Sequence, residues 1–289
     1  MRQAILSIVL AATTVLATPV KRAIDDTTVL NFALTLEHLE NAFYQGALAK
    51  FDAKAFTDAG LPSFARGRFS QVAAHEQTHV KFLSDALGDK ATKPCTYNFP
   101  YTDPKSFAAL SQVLEGVGTS AYTGAAQLLT NKDFLTAAAS VLATEARHAS
   151  WVASAVNKFG GWSGSFDVPL SLNQVFTLAA GFITSCPSTN PALPVKAFPA
   201  LTVTGAVPGK SAAVSAPKAT STPTHIVFFS GLDKLFAPIQ NGKVTVPAGL
   251  TGQIYAVATT SATQATDDVI VAGPAILLFE TDSNNNLIA

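Results

Sequence analysis

The chain has 289 residues, 48% of them hydrophobic, and its 19 lysines and arginines balance its 19 aspartates and glutamates. This length and apolar content predict one large globular domain or two smaller ones and exclude disorder throughout. A net charge of zero gives no long-range attraction for nucleic acid or an anionic membrane, so we expect neither as a partner.

The first residues have the pattern of a secretory signal peptide. A basic start precedes an apolar run that ends in small residues at Ala17, and this run is too short for a transmembrane anchor. We therefore predict a signal peptide over 1–17, no integral membrane segment, and a protein that is secreted or held at the cell surface. The pair Lys21-Arg22 either is a dibasic processing site, which would make 18–24 a propeptide, or belongs to a solvated terminus.

The chain contains two cysteines, Cys95 and Cys186. In an exported protein two cysteines favour a single disulfide over a thiolate metal site or a catalytic pair. The sequence leaves open whether the two residues meet.

Residues 25–187 are rich in alanine, leucine, phenylalanine and valine at helical spacing. This pattern predicts four long helices, A to D, and a shorter fifth helix. Asp103 followed by Pro104 is a typical start for helix C. The predicted ranges are 27–51 for A, 63–87 for B, 104–129 for C, from the Asn131-Lys132 turn to before Gly160 for D, and 171–184 for the fifth helix.

The lengths of the connections predict the topology. Short turns join A to B and C to D, so each pair should form an antiparallel hairpin. About sixteen residues join B to C, and at ~3.3 Å per residue they reach ~50 Å, more than the ~38 Å of a 25-residue helix. We therefore predict a four-helix bundle with one long crossover.

The composition changes after the fifth predicted helix. Residues 188–223 are dense in proline, serine and threonine, which predicts a linker. Residues 224–289 contain short β-branched runs separated by polar turns, which predict a small antiparallel, sandwich-like β domain. These runs cover 225–230, 243–247, 253–259 and 268–280 and contain no motif with a recognisable function.

Each of the four long helices has a glutamate in the middle of its apolar stripe. In helices B and D a histidine follows at Glu-x-x-His spacing, which puts both side chains on one helix face. Because each glutamate lies near the midpoint of its helix, the four should meet at one level of the bundle. The predicted cluster is Glu37, Glu76, His79, Glu115, Glu145 and His148.

Four carboxylates in a dry interior require compensating positive charge, because each buried ion costs several kcal/mol even after relaxation. Two divalent ions would cancel the four negative charges, and two neutral imidazoles would complete the ligand shells. A donor set of carboxylate and imidazole without thiolate suits iron or manganese better than structural zinc. The sequence therefore predicts a cofactor of two iron or manganese ions.

The order Glu, Glu-x-x-His, Glu, Glu-x-x-His over four helices resembles the ferritin-like superfamily. Within it, the segments LEHLENAFY at 36–44 and AHEQTH at 74–79 are similar to those of fungal secreted ferritin-like proteins, often called stress-response or starvation-regulated proteins. The resemblance covers roughly 25–185. It does not cover the β domain, and it implies a ferritin-like four-helix bundle with bridging and terminal metal ligands. Together with the β domain, this predicts a mainly α chain: a ferritin-like four-helix bundle with a short fifth helix, followed by a small antiparallel β domain. Which carboxylates bridge stays open.

Two tyrosines repeat the spacing of the glutamates. Tyr44 follows Glu37 by seven residues and Tyr122 follows Glu115 by seven, so helices A–B and C–D show the same order of residues. This pseudo-twofold pattern favours Glu37 over a neighbouring acid as the ligand of helix A. The two tyrosines are candidate catalytic residues that would hydrogen-bond the carboxylates or take part in redox steps. The alternative is core packing.

Three further polar residues flank the predicted ligands. Glu40 lies nearly on the face of Glu37 and is either an additional ligand, an acid behind the ligands or, as we expect, a partly solvated charge. His38 and His75 point off the apolar stripes, and we interpret them as surface or packing residues.

These features predict an oxidoreductase-type protein whose two metal ions react with dioxygen or a peroxide as the small-molecule substrate. Ferroxidase, catalase and oxidase activities all occur on the fold that the resemblance implies, and fold alone does not select among them. The alternative is a non-catalytic exported stress or surface protein that keeps the bundle for binding or protection. An iron-storage cage fits less well with an export signal and an appended β domain. The oligomeric state is open.

Overall fold

The computed structural model describes residues 24–288. The predicted signal peptide over 1–17 lies outside the described residues, and so does the proposed propeptide over 18–24 except for its last residue. No helix within 24–288 is both long and apolar enough to cross a membrane.

The helical part has the four long helices and the shorter one that the sequence predicts. Helices A, B, C and D correspond to α1, α3, α4 and α5, and the fifth predicted helix is α6. The short helix α2, in the connection between A and B, was not predicted. The bounds are α1 Asp26–Lys50, α2 Ala53–Asp58, α3 Ala65–Leu87, α4 Pro104–Ala125, α5 Lys132–Trp151 and α6 Leu172–Ala180.

Side chains cap the helices where the sequence suggests. The Asp103 carboxylate accepts hydrogen bonds from the backbone N–H groups of Lys105 and Ser106, and Ser106 completes a capping box. Pro104 occupies the first position of α4, where its missing N–H has no cost. Helix α5 continues into a π-helical turn over Val152–Val156, so predicted helix D is regular α-helix only as far as Trp151.

The connection from α3 to α4 runs along the bundle, as predicted for a crossover. Near its start, the Thr92 N–H donates to the Asn31 side chain at 2.8 Å, in the first part of α1. Near its end, the Tyr101 carbonyl accepts from Lys50, the last residue of α1, at 3.4 Å. Arg66 at the start of α3 donates to carbonyls at the end of α1, so α1 and α3 are antiparallel.

The C-terminal part consists of antiparallel β-sheets, as predicted. Strands β3, β4 and β7 form one sheet, and a second sheet has the order β6-β5-β8-β9. A separate two-stranded pair, β1 and β2, joins the crossover to the residues after α6. The bounds are β1 Thr96–Tyr97, β2 Ile183–Ser185, β3 Thr202–Thr204, β4 Ser211–Ser215, β5 His225–Ser230, β6 Asp233–Pro238, β7 Lys243–Thr245, β8 Gly252–Thr259 and β9 Ile270–Phe279.

The stretch over 188–223 differs from the predicted linker because it contains β3 and β4. Val203 and Ala212 in these strands are buried in the core of the β part. Small and polar residues surround both positions, so the period-two pattern is too weak to identify strands from sequence. Strand β6 was also missed, because it begins with two charged residues and only Ala237 in it is buried.

The four-stranded sheet packs against the helices with one face and against the β core with the other. In β5, Val227 and Phe229 join the core of the helical part, whereas Ile226 and Phe228 join the core of the β part. A strand that is buried on both faces reads as a continuous apolar run rather than an alternating one. The four-stranded sheet therefore packs directly against one side of the helical bundle.

A disulfide joins Cys95 to Cys186, which confirms the pairing that the sequence left open. It ties the crossover to the segment that follows α6, beside the paired strands β1 and β2.

We predict that the double variant Cys95→Ser/Cys186→Ser has a free energy of unfolding lower by about 2–4 kcal/mol. The disulfide bridges residues 91 positions apart and so restricts the unfolded chain strongly. Urea denaturation of the variant and of oxidised and reduced wild type measures the effect. Equal free energies of unfolding for all three would contradict the prediction.

Candidate metal centre

The structure brings all six residues of the predicted carboxylate–histidine cluster together in the middle of the bundle. Each of four helices contributes one glutamate, and these four are at most 1% exposed. The side chains of the two histidines are 12% exposed for His79 and 7% for His148. The four acids thus face one interior level, as their positions in the helices predict.

The cluster divides into two overlapping groups of potential ligands. Glu37 and His79 complete one group, and Glu115 and His148 complete the other. Glu76 and Glu145 belong to both, and within each group the ligand atoms lie within 4.8 Å of one another. The sharing of these two carboxylates is the arrangement that a pair of ions bridged by both would require.

Several carboxylate oxygens converge on a single nitrogen of each histidine. Nδ1 of His79 lies 3.2 Å from Glu37, 3.3 Å from Glu76 and 3.3 Å from Glu145. One imidazole nitrogen carries at most one hydrogen, so it cannot donate to three acceptors at full strength. Spacings of about 3 Å are those expected between neighbouring ligands of an octahedral divalent ion.

Three buried oxygens of the cluster have no hydrogen-bond donor: Oε1 of Glu76 and both carboxylate oxygens of Glu145. The imidazole nitrogens that lie 3.3 Å from Oε1 of Glu145 and 3.2 Å from Oε1 of Glu76 are not in hydrogen-bond geometry. Buried polar atoms are normally paired, so unpaired carboxylate oxygens in the middle of a ligand group fit coordination to an ion. The unpaired oxygens therefore belong to Glu76 and Glu145, the two carboxylates that both ligand groups share.

The pKa values of these groups show how strongly the cluster lacks positive charge. Burial, together with repulsion from Glu145, raises the pKa of Glu76 to about 7. Burial would lower the pKa of His79, but contacts with the carboxylates of Glu145, Glu37 and Glu76 outweigh it and raise the value to about 12. The same competition raises the pKa of His148 to about 10. Without metal, the cluster therefore retains protons.

The two tyrosines bond the glutamate of the opposite half of the bundle. The Tyr44 hydroxyl in α1 donates to Oε1 of Glu115 in α4, and the Tyr122 hydroxyl in α4 donates to Oε1 of Glu37 in α1. The pseudo-twofold pattern of the sequence thus becomes a reciprocal pair of hydrogen bonds. Each tyrosine fixes one oxygen of a carboxylate and leaves the other directed at the cluster.

Glu40 contradicts the expectation of a partly solvated charge. It is 4% exposed, and burial and the neighbouring Glu145 raise its pKa well above the usual range. The space for this side chain comes from Gly118, whose hypothetical Cβ would lie 2.9 Å from Oε1 of Glu40 and 3.2 Å from Oε2 of Glu145. Gly118 follows Glu115 by three residues, as Glu40 follows Glu37, so a glycine in one half makes room for an acid in the other.

The two histidines outside the cluster have different roles. His38 is buried and its Nε2 lies 3.1 Å from the Thr92 carbonyl, so it packs against the crossover as expected. His75 is exposed, but its Nδ1 lies 2.9 Å from Nε2 of His148 and the two rings are stacked. His75 can therefore orient a ligand histidine through its outer nitrogen, a role that sequence reasoning missed.

A groove of about 920 Å³ between α3 and α5 leads from solvent to the cluster. His79 and His148 line it together with two arginines, Arg68 and Arg147. The histidine side of the cluster therefore faces a path that ions and small molecules can follow.

We predict that the free energy of unfolding of the metal-free protein decreases as the pH rises from about 5 to about 8. A raised carboxyl pKa stabilises the fold below the unfolded value near 4.5, and this stabilisation is lost as the pH passes the folded value of about 7 for Glu76. The raised histidine pKa values act in the same direction above 6.5. Urea denaturation at a series of pH values measures the slope.

The variant Glu76→Gln is the control for this slope, because it removes one titrating group and keeps the side-chain size. It should show a smaller decrease over the same interval. A metal-free wild type whose unfolding free energy stays constant or increases from pH 5 to pH 8 would contradict the interpretation.

Comparison with known proteins agrees with this geometry. Residues 25–158 match the family model of the ferritin-like domain. The chain is similar to protein rds1 of Schizosaccharomyces pombe, with 27% identity over 224 residues, which cover 76% of this chain and 50% of the relative. The chain thus spans about half the length of the curated relative it matches. The helical part of the chain over 25–158 is therefore a ferritin-like domain.

Proposed function

We propose that this chain is an exported oxidoreductase that holds two iron or manganese ions in the carboxylate–histidine cluster and reacts with dioxygen or a peroxide. The observation that carries the proposal is the pair of overlapping ligand groups that share Glu76 and Glu145. The ferritin-like domain provides the family context for a metal site at this place.

The residues present fit a pair of divalent ions. Four carboxylates balance four positive charges, and two imidazoles complete the donor set. Orphaned oxygens on Glu76 and Glu145 support their assignment as the bridging ligands. Glu37 with His79, and Glu115 with His148, would then hold one ion each. A donor set of oxygen and nitrogen without sulfur favours iron or manganese.

When bound, iron or manganese supplies one-electron redox chemistry and a Lewis acid. The protein holds the ligands in place: the hydroxyls of Tyr44 and Tyr122 fix Glu115 and Glu37. Burial raises the pKa of both tyrosines, so their hydroxyls stay protonated as donors. The four glutamates of the cluster are almost inaccessible to solvent, while the groove on the histidine side is open to small molecules.

Export is part of the proposal. The apolar N-terminal pattern up to Ala17 motivates it, and the disulfide between Cys95 and Cys186 supports it, because disulfides persist mainly in oxidising compartments.

We predict that the wild-type chain binds two iron or manganese ions and that Glu76→Gln and Glu145→Gln each lose both. Each of these carboxylates belongs to both ligand groups, whereas Glu37→Gln should lose mainly one ion. Elemental analysis after reconstitution measures the stoichiometry. Glu280→Gln is the matched control, since Glu280 is a partly buried acid outside the cluster.

The wild type binding less than one ion per chain would contradict this assignment. Equal metal content in Glu76→Gln and Glu280→Gln would contradict the bridging role of Glu76.

We also predict that the iron(II)-loaded protein is oxidised by dioxygen or hydrogen peroxide faster than free iron(II) under the same conditions. The fixed carboxylates favour the more highly charged oxidised ion, because anionic oxygen ligands stabilise a higher positive charge. Stopped-flow absorbance spectroscopy measures the rate. A fully loaded protein that is inert to both oxidants would instead support a non-catalytic role in binding or protection.

A further inference from the structure

A second cavity lies between the helical part and the β part, away from the cluster. It is a cleft of about 250 Å³ lined by both polar and apolar residues and bounded by α4, α5, the segment over 160–168 and β8. None of the six residues of the carboxylate–histidine cluster lines it. Clefts between structural units are frequent places for small-molecule binding.

Close backbone approaches hold the walls of this cleft. Gly252 has a positive φ of 68°, and a Cβ there would lie 2.4 Å from Cα of Ser163. A Cβ on Gly161 would lie 2.9 Å from Oγ of Ser150. The backbone N–H of Gln253 donates to Oγ of Ser163 at 2.8 Å. The segment over 160–168, which lines the opening of the cleft, is therefore held against both β8 and α5.

Two carboxylates line the cleft without a cation. Burial raises the pKa of Asp167 and of Glu280, and only the Gln112 amide, which donates to Oε1 of Glu280 at 2.6 Å, opposes the effect for Glu280. No lysine, arginine or histidine of the described chain lines the cleft. Both carboxylates can accept hydrogen bonds from a ligand that carries several hydroxyl groups.

An aromatic platform stands at the rim. Trp162 lines the cleft and is 77% exposed, although an indole of this size is normally well buried. The negative face of an aromatic ring attracts the positively polarised C–H groups of an apolar surface. Neutral polar groups, among them Gln253 and the Tyr255 hydroxyl, line the interior.

We propose that this cleft binds a neutral saccharide, with the C–H face of one ring on Trp162 and hydroxyl groups donating to Asp167 and Glu280. The volume of about 250 Å³ equals that of about eight water molecules in the liquid, which leaves room for one sugar ring. Saccharide binding in this cleft would not depend on the metal ions. It would make the interface between the bundle and the β part a ligand-binding site.

The test is titration of the full-length protein with trisaccharides of glucose, N-acetylglucosamine and mannose, followed by calorimetry and tryptophan fluorescence. Saturable binding of at least one trisaccharide is expected, with and without metal. Trp162→Ala should weaken it about tenfold, equivalent to about 1.4 kcal/mol. Phe166→Ala is the matched control, because Phe166 is 61% exposed on the same segment but does not line the cleft, and it should bind like wild type.

Absence of saturable binding of all three trisaccharides at millimolar concentrations would overturn the proposal, and so would equal affinity of Trp162→Ala and wild type. Spermidine is the competing probe. If spermidine binds, loses its affinity in Trp162→Ala and the saccharides do not bind, the cleft takes a cation and the proposal is wrong. Metal content, measured on the same samples, keeps any of these failures separate from a failure of the metal site.

Discussion

Burial of four carboxylates at one level of a helical bundle is the constraint on which this structure depends. Glu37, Glu76, Glu115 and Glu145 are almost completely inaccessible to solvent, and in a low-dielectric interior their mutual repulsion would oppose folding. The raised pKa of Glu76 and of the two histidines expresses the same demand for positive charge. In the metal-free chain, bound protons supply this positive charge. A pair of divalent ions would supply it in their place.

The surroundings of the cluster are nearly twofold, and the departures from symmetry are informative. The tyrosine–glutamate bonds across α1 and α4 are reciprocal. Glu40 in one half faces Gly118 in the other, which adds a fifth buried carboxylate beside Glu145. His75 supports His148, whereas the equivalent position before Glu145 is Thr144. The two ligand groups are therefore not equivalent, and two bound ions would experience different environments.

Helical periodicity was sufficient to predict the bundle, the crossover and the convergence of the six cluster residues, because each of these depends on spacing along one chain. Glu40 was wrongly expected to be partly solvated, and the contact of the exposed His75 with His148 was missed. Both depend on residues of other helices, Gly118 and His148. Strands β3 and β4 were missed because small and polar residues dominate them. The cleft between the helices and β8 depends on how the two parts dock, and no local pattern encodes that contact.

The most direct measurement is anomalous X-ray diffraction from crystals of the metal-loaded protein, recorded at the absorption edges of iron and manganese. The account predicts two anomalous peaks, both within bonding distance of Glu76 and Glu145, one of them next to Glu37 and His79 and the other next to Glu115 and His148. A single peak, peaks elsewhere, or no anomalous signal at the cluster would contradict the account.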